Sequence, residues 1–117
     1  MEHGFIWVPE MKLLIETLEG RATADDVIRS MDEELEIGLG HTDLSKIIDM
    51  RDADLDMTPS EVKRITGWYA EHGLASREAA IAVITSTPLP TALAMVYSHA
   101  LARVRPAATF STPRAAI

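Results

Sequence analysis

The sequence contains no cysteine. That absence excludes disulfides, thiolate nucleophiles and cysteine-type zinc sites together, and it agrees with a reducing compartment, so the cytoplasm is the expected location. Basic residues are scarce as well: 11 Lys and Arg stand against 18 Asp and Glu, giving a net charge of −7 and a pI near 4.9. A phosphate backbone is bound by clustered Lys and Arg, so nucleic acid is not an expected partner. The N-terminus, Met1-Glu2-His3-Gly4, is not basic and leads into no long apolar stretch, so no signal peptide is expected. One apolar stretch has the length of a membrane span: between Glu78 and Arg103 the only potentially charged residue is His99. Pro88 and Pro90, beside Ser86 and Thr87, divide it into a strand, a loop and a helix, and no membrane span is expected.

Catalytic signatures are missing too. There is no Gly-x-Ser-x-Gly elbow, and Gly38-Leu39-Gly40 lacks the third glycine of a phosphate loop and follows a helix. His3, His41, His72 and His99 are scattered, with no pair at metal-ligand spacing. No catalytic residue, metal or cofactor is therefore expected, and the chain reads as something other than an enzyme.

What remains is ordinary globular material. A chain of 117 residues, 47% hydrophobic and 25% charged, fits one domain over residues 1–117. It should bury roughly 65% of the surface its unfolded form exposes. Phe5–Val8 and Met11–Leu18 read as a hairpin around Pro9-Glu10. In the second strand Met11, Leu13, Ile15 and Thr17 share one face, and Lys12 and Glu16 lie on the other, the more exposed one, with Gly20 as its end. Thr23-Ala24-Asp25-Asp26 is a capping box. Its helix buries Val27, Ile28, Met31 and Leu35 and turns Asp32, Glu33, Glu34 and Glu36 to water, ending at Gly38 and Gly40. Leu44–Met50 is a strand and Asp52–Asp56 a polar connection. Thr58-Pro59-Ser60-Glu61 is the clearest helix start, with Val62, Ile65, Tyr69 and His72 at helical spacing and Gly73 as the stop. Of Trp68 and Tyr69, one ring is expected in the core and the other at the surface. Ala79–Thr85 is a buried central strand, Leu89–Ala102 a helix, and Ala107–Phe110 a last strand before a helix start at Thr112-Pro113. The order predicts an α/β domain: a mixed, mostly parallel sheet with an N-terminal antiparallel hairpin and helices packed on it.

Several segments resemble the SpoIIAA-like, or STAS-like, family of small bacterial proteins related in fold to anti-sigma-factor antagonists. The resemblance is carried by Gly20-Arg21-Ala22-Thr23-Ala24-Asp25-Asp26-Val27 and by Ile47-Ile48-Asp49-Met50-Arg51-Asp52-Ala53-Asp54. Ala79–Ile84, Thr109-Phe110-Ser111 and Ala115-Ala116 support it. It implies a regulatory or protein-interaction role and a partner that is another protein or a second copy, met through a helix face. The family's phosphorylated serine falls near Thr58, where Met57 and Pro59-Ser60 replace the Asp-Ser-Ser-Gly pattern, so the phospho-switch is not carried over. In the third helix this chain has Ala92 and Met95 where relatives show Gly and Arg.

The acidic run invites two chemical readings, and both fail on the residues. Asp52-Ala53-Asp54-Leu55-Asp56 opens like a calcium loop, but Met57 stands at the glycine position and Lys63 at the bidentate glutamate position. Asp54-Leu55-Asp56-Met57-Thr58 matches a phosphatase signature without the hydrophobic strand that should precede it. Ligands of open parallel sheets bind beyond the carboxyl ends of strands, which makes Asp49 and Arg51, with Thr58, Ser86 and Thr87, the candidate ligand or partner site. The alternative function is a carrier of a small apolar or anionic, lipid-like molecule there. For Asp49 alone, capping of local backbone amides is the favoured role.

Overall fold

The computed structural model describes residues 1–36, 44–72, 80–102 and 106–111. The expected stops at Gly38, Gly40 and Gly73, the helix start at Thr112-Pro113, and His41, Ala79, Ala115 and Ala116 lie outside them. Five strands form one sheet in the order β1-β2-β3-β4-β5: β1 (Glu2–Val8), β2 (Leu13–Ala22), β3 (Ser45–Leu55), β4 (Ile81–Thr85) and β5 (Ala107–Ser111). Helices α1 (Ala24–Glu36), α2 (Pro59–Glu71) and α3 (Pro88–Leu101) connect β2 through β5. β1 and β2 are antiparallel and every later pair is parallel. This is the α/β arrangement that the sequence predicts.

The helices begin where side chains replace missing backbone partners. Thr23 N–H donates to Asp26 Oδ2 at 3.0 Å, and Asp26 N–H donates back to Thr23 Oγ1 at 3.2 Å. Thr58 and Glu61 make the same reciprocal pair at 3.0 and 3.2 Å ahead of α2. The hairpin turns through a 3₁₀ segment, Pro9–Met11, and Lys12 closes it in the left-handed region at φ 47°.

Each β-α-β crossover steps one strand further in the same direction. Right-handed crossovers of that kind place every helix on one side. The contacts agree: Glu34 of α1 reaches Lys46 of β3, the Tyr69 ring of α2 lies beside the Lys46 ammonium, and Ser98 of α3 meets Thr109 of β5 at 2.6 Å. The register aligns Trp7, Leu14, Lys46, Ile81 and Ala107 in one row and Phe5, Glu16, Ile48, Val83 and Thr109 in the next, all on the helix side. Ile6, Ile15, Ile47, Ala82 and Ala108 make the matching row on the other side.

Four expectations need correction. β2 does not stop at Gly20: it runs to Ala22, and Gly20 takes φ +79° inside it, a conformation that favours glycine. The Asp52–Asp56 connection is mostly strand. β3 continues to Leu55 because its register with β2 shifts between Thr17 and Glu19, where β3 carries one extra residue. That bulge reverses the alternation, so Ala53 and Leu55 point into the core and Asp52 and Asp54 do not. Trp68 and Tyr69 are both buried, since Trp68 Nε1–H finds the Asp32 carboxylate at 2.8 Å and needs no water. Glu16 and Glu34 are buried as well, for the reason given next.

Candidate functional site

The face of β2 expected to be the more exposed is the buried one. Leu14, Glu16 and Leu18 alternate into the core at 0%, 3% and 3% exposure. On α1, Glu34 follows Met31 and Val27 at helical spacing, on the stripe facing the sheet, and is 2% exposed. Lys46 enters from β3 and His3 from β1. The four side chains alternate in charge. Lys46 Nζ lies 3.2 Å from Glu16 Oε1 and 2.8 Å from Glu34 Oε2. His3 Nε2 faces the two remaining oxygens, Glu16 Oε2 at 3.3 Å and Glu34 Oε1 at 3.4 Å.

Burial alone would neutralise these groups, and their mutual pairing holds them charged. The nearby carboxylates of Glu16 and then Glu34 raise His3 from 6.5 to about 9. Burial pushes Glu16 up, but the Lys46 ammonium and the surrounding contacts outweigh it and hold the carboxyl at about 2. Burial opposes the charge on Lys46, and the two carboxylates still raise it. Glu34 goes the other way: burial raises it, and the neighbouring Glu16 charge adds to the shift against the pull of His3 and Lys46. Beyond Lys46 two buried tyrosines meet, Tyr97 O–H donating to Tyr69 Oη at 3.1 Å, and burial raises Tyr97. A cavity of about 50 Å³ adjoins this group under the helices, with Glu16, Ser30, Lys46, Tyr69 and Tyr97 among its lining and apolar side chains making up the rest.

The residues singled out from the sequence lie elsewhere. Asp49 sits inside β3, paired with Thr17 and Ile84. Its carboxylate accepts Arg51 N–H at 3.1 Å and the Arg51 guanidinium at 2.9 and 2.7 Å, which lowers Asp49 below the usual carboxylate range against a smaller effect of burial. Ser86 Oγ–H donates to the Arg51 carbonyl at 2.8 Å. Asp49, Arg51 and Ser86 are thus joined. Among the described contacts none connects Thr58 or Thr87 to them: Thr58 is occupied by its capping box, and Thr87 starts α3 with its carbonyl accepting Thr91 N–H at 3.1 Å. None of the five lines the cavity.

The cluster of His3, Glu16, Glu34 and Lys46 escapes sequence reading because its members stand on four different elements. A signal existed. Glu16 falls between Leu14 and Leu18 at strand spacing, and Glu34 falls on the apolar stripe of its own helix.

The sheet's other side is different in kind. Among the described residues no element packs on it, and it presents Ile6, Ile15, Ile47 and Ile84, with Phe110 at 56% and Ile6 at 64% exposure. Charge on this side lies beyond the isoleucines: Asp49 pairs with Arg51 and Arg21 with Asp56, and Glu2, Glu19, Asp52 and Asp54 stand at the carboxyl ends of β2 and β3.

No family model and no curated protein matches the chain. Among the described residues no helix is long and apolar enough to cross a membrane. Among solved structures the chain is similar to an uncharacterised protein of the DUF3478 family, with a SpoIIAA-like fold, from Shewanella loihica PV-4. The two share 16% identity at a TM-score of 0.58, over 97% of this chain and 87% of that one. With strand order and connections already in hand, that likeness settles the architecture: the chain has a SpoIIAA-like fold.

Proposed function

We propose that this chain is a non-enzymatic regulatory module that works by association, and that the open face of its sheet receives a second copy of the chain. One observation carries the reading: an apolar row of Ile6, Ile15 and Ile47, with Ile84 and Phe110 beside it, crosses the sheet on the side that no described element covers. Exposed contiguous apolar patches of this kind mark interaction sites. The choice of occupant rests on charge. The chain carries −7, but the acids of this side, Glu2, Glu19, Asp52 and Asp54, gather at the carboxyl ends of β2 and β3, away from the isoleucine row, and Asp49 beside that row is compensated by Arg51, so two copies can meet along the row without opposing like charges. A two-fold interface requires such a self-complementary patch. Helix α3 exposes Leu89 and Met95 as well, and the contiguity of the apolar row across the strands favours the sheet over that helix face as the docking surface. The carrier reading ranks lower, because a cavity of about 50 Å³ is near a third of the ~150 Å³ that admits benzene.

Sedimentation across a concentration series tests the proposal. A concentration-dependent dimer is expected, with Ile47→Glu shifting it to monomer. A monomer at every concentration overturns it.

A further inference from the structure

We propose that His3, Glu16 and Glu34 form a binding site for a divalent transition metal of the zinc class. The inference is independent of the association described above. It rests first on the donor set, one imidazole nitrogen and two carboxylate oxygens, whose ligand atoms all lie within 4.8 Å of one another. It rests next on spacing. A tetrahedral ion with bonds of about 2.0–2.1 Å separates its ligand atoms by about 3.3–3.4 Å. His3 Nε2 stands 3.3 Å from Glu16 Oε2 and 3.4 Å from Glu34 Oε1.

A second observation points the same way. Glu34 is 2% exposed, and its Oε1 meets His3 Nε2 only as an ion pair at 3.4 Å, neither atom completing a hydrogen bond among the described residues; Glu16 Oε1, facing Lys46 at 3.2 Å, is in the same position. Buried polar atoms are ordinarily satisfied, and a metal ion between His3 Nε2 and Glu34 Oε1 would satisfy both at once. Lys46 does not occupy that position. It holds the opposite oxygens, Glu16 Oε1 and Glu34 Oε2, and so turns the remaining pair toward His3.

Lys46 also sets the selectivity. A fixed ammonium behind the carboxylates weakens their hold on any cation, which disfavours ions held by oxygen charge alone, such as magnesium and calcium. An ion that bonds imidazole well loses less.

The test uses the untagged full chain, stripped with a chelator and titrated with zinc chloride against a chromophoric competitor, with magnesium chloride in parallel. One equivalent of zinc is expected, with magnesium failing to compete. His3→Ala and Glu34→Gln should each weaken zinc about tenfold or more. His3 stands on an edge strand, so its variant remains informative where a buried substitution fails to fold, and X-ray absorption should find one nitrogen and two carboxylate donors from the protein. Absence of saturable zinc uptake overturns the proposal, and so does uptake that His3→Ala leaves unchanged.

Discussion

Each face of the sheet departs from the usual arrangement of charge and oil in one place. The covered face holds Glu16 and Lys46 beneath α1, at 3% and 6% exposure, while the uncovered face carries isoleucines. The difference teaches that alternation along a strand says which residues share a side and leaves open which side is inside. On β2 the set Met11, Leu13, Ile15 and Thr17 looks the more apolar, yet the set containing Glu16 is the one that the helices cover. Helix position is fixed by the handedness of the crossovers, and the charged residues are then accommodated by pairing with each other.

Breaking the covered face at its ion cluster should have the largest effect. Lys46→Met leaves two buried carboxylates without their cation, and removal of one member of a buried pair typically costs about 3–5 kcal/mol. Chemical denaturation should show that loss. A variant in which all four charged positions become apolar residues of similar volume should recover most of it. If Lys46→Met alone is neutral, the cluster is not the closed charge network described.

The comparison can be sharpened within two adjacent residues. Ile48 points into the core at 9% exposure and Ile47 points to the open side. Ile48→Ala should cost about 2–4 kcal/mol through the cavity it leaves. Ile47→Ala should cost about 1 kcal/mol in the monomer. Equal losses would mean that the open face is covered after all.

A smaller effect should follow pH. His3 is raised to about 9 in the folded chain from its ordinary 6.5. Its contribution to metal-free protein is therefore fully present below pH 6.5, declines between 6.5 and 9, and is gone above 9. The full linkage would be about 3 kcal/mol, and screening by the water that reaches the ring reduces the loss to on the order of 2 kcal/mol. Denaturation midpoints measured from pH 6 to 10 should fall accordingly, and His3→Gln should remove that slope.

How much of this was legible depends on the range of the chemistry. Both capping boxes could be read from four consecutive letters, because Thr23 with Asp26 and Thr58 with Glu61 act within one turn. The mostly parallel sheet with its antiparallel hairpin followed from the alternation of strands and helices. The extension of β3 past Arg51 was hidden, since a bulge is a property of the pair β2 and β3 and leaves no mark in either strand alone. The charged cluster was hidden for the same reason: Glu16, Glu34 and Lys46 are each ordinary surface letters until the sheet brings them to one place. Trp68 and Tyr69 looked like one buried and one exposed ring because consecutive helical residues diverge by about 100°. Two neighbouring elements, α1 and α3, cover both.

The smallest effect belongs to the open face. Arg51→Ala removes two guanidinium bonds from Asp49, in a pair whose arginine side chain is 48% exposed. Pairs that water reaches are worth about 0–1 kcal/mol. The Arg51 backbone N–H, which Asp49 also accepts, survives the substitution. The denaturation midpoint should therefore hardly move. Association should respond more strongly, because the variant leaves Asp49 uncompensated beside the isoleucine row, and two copies would bring those charges together. Measuring stability and sedimentation on the same sample separates the roles. A weaker dimer at unchanged stability assigns Arg51 to the interface, and a large fall in stability would make the pair a structural clamp.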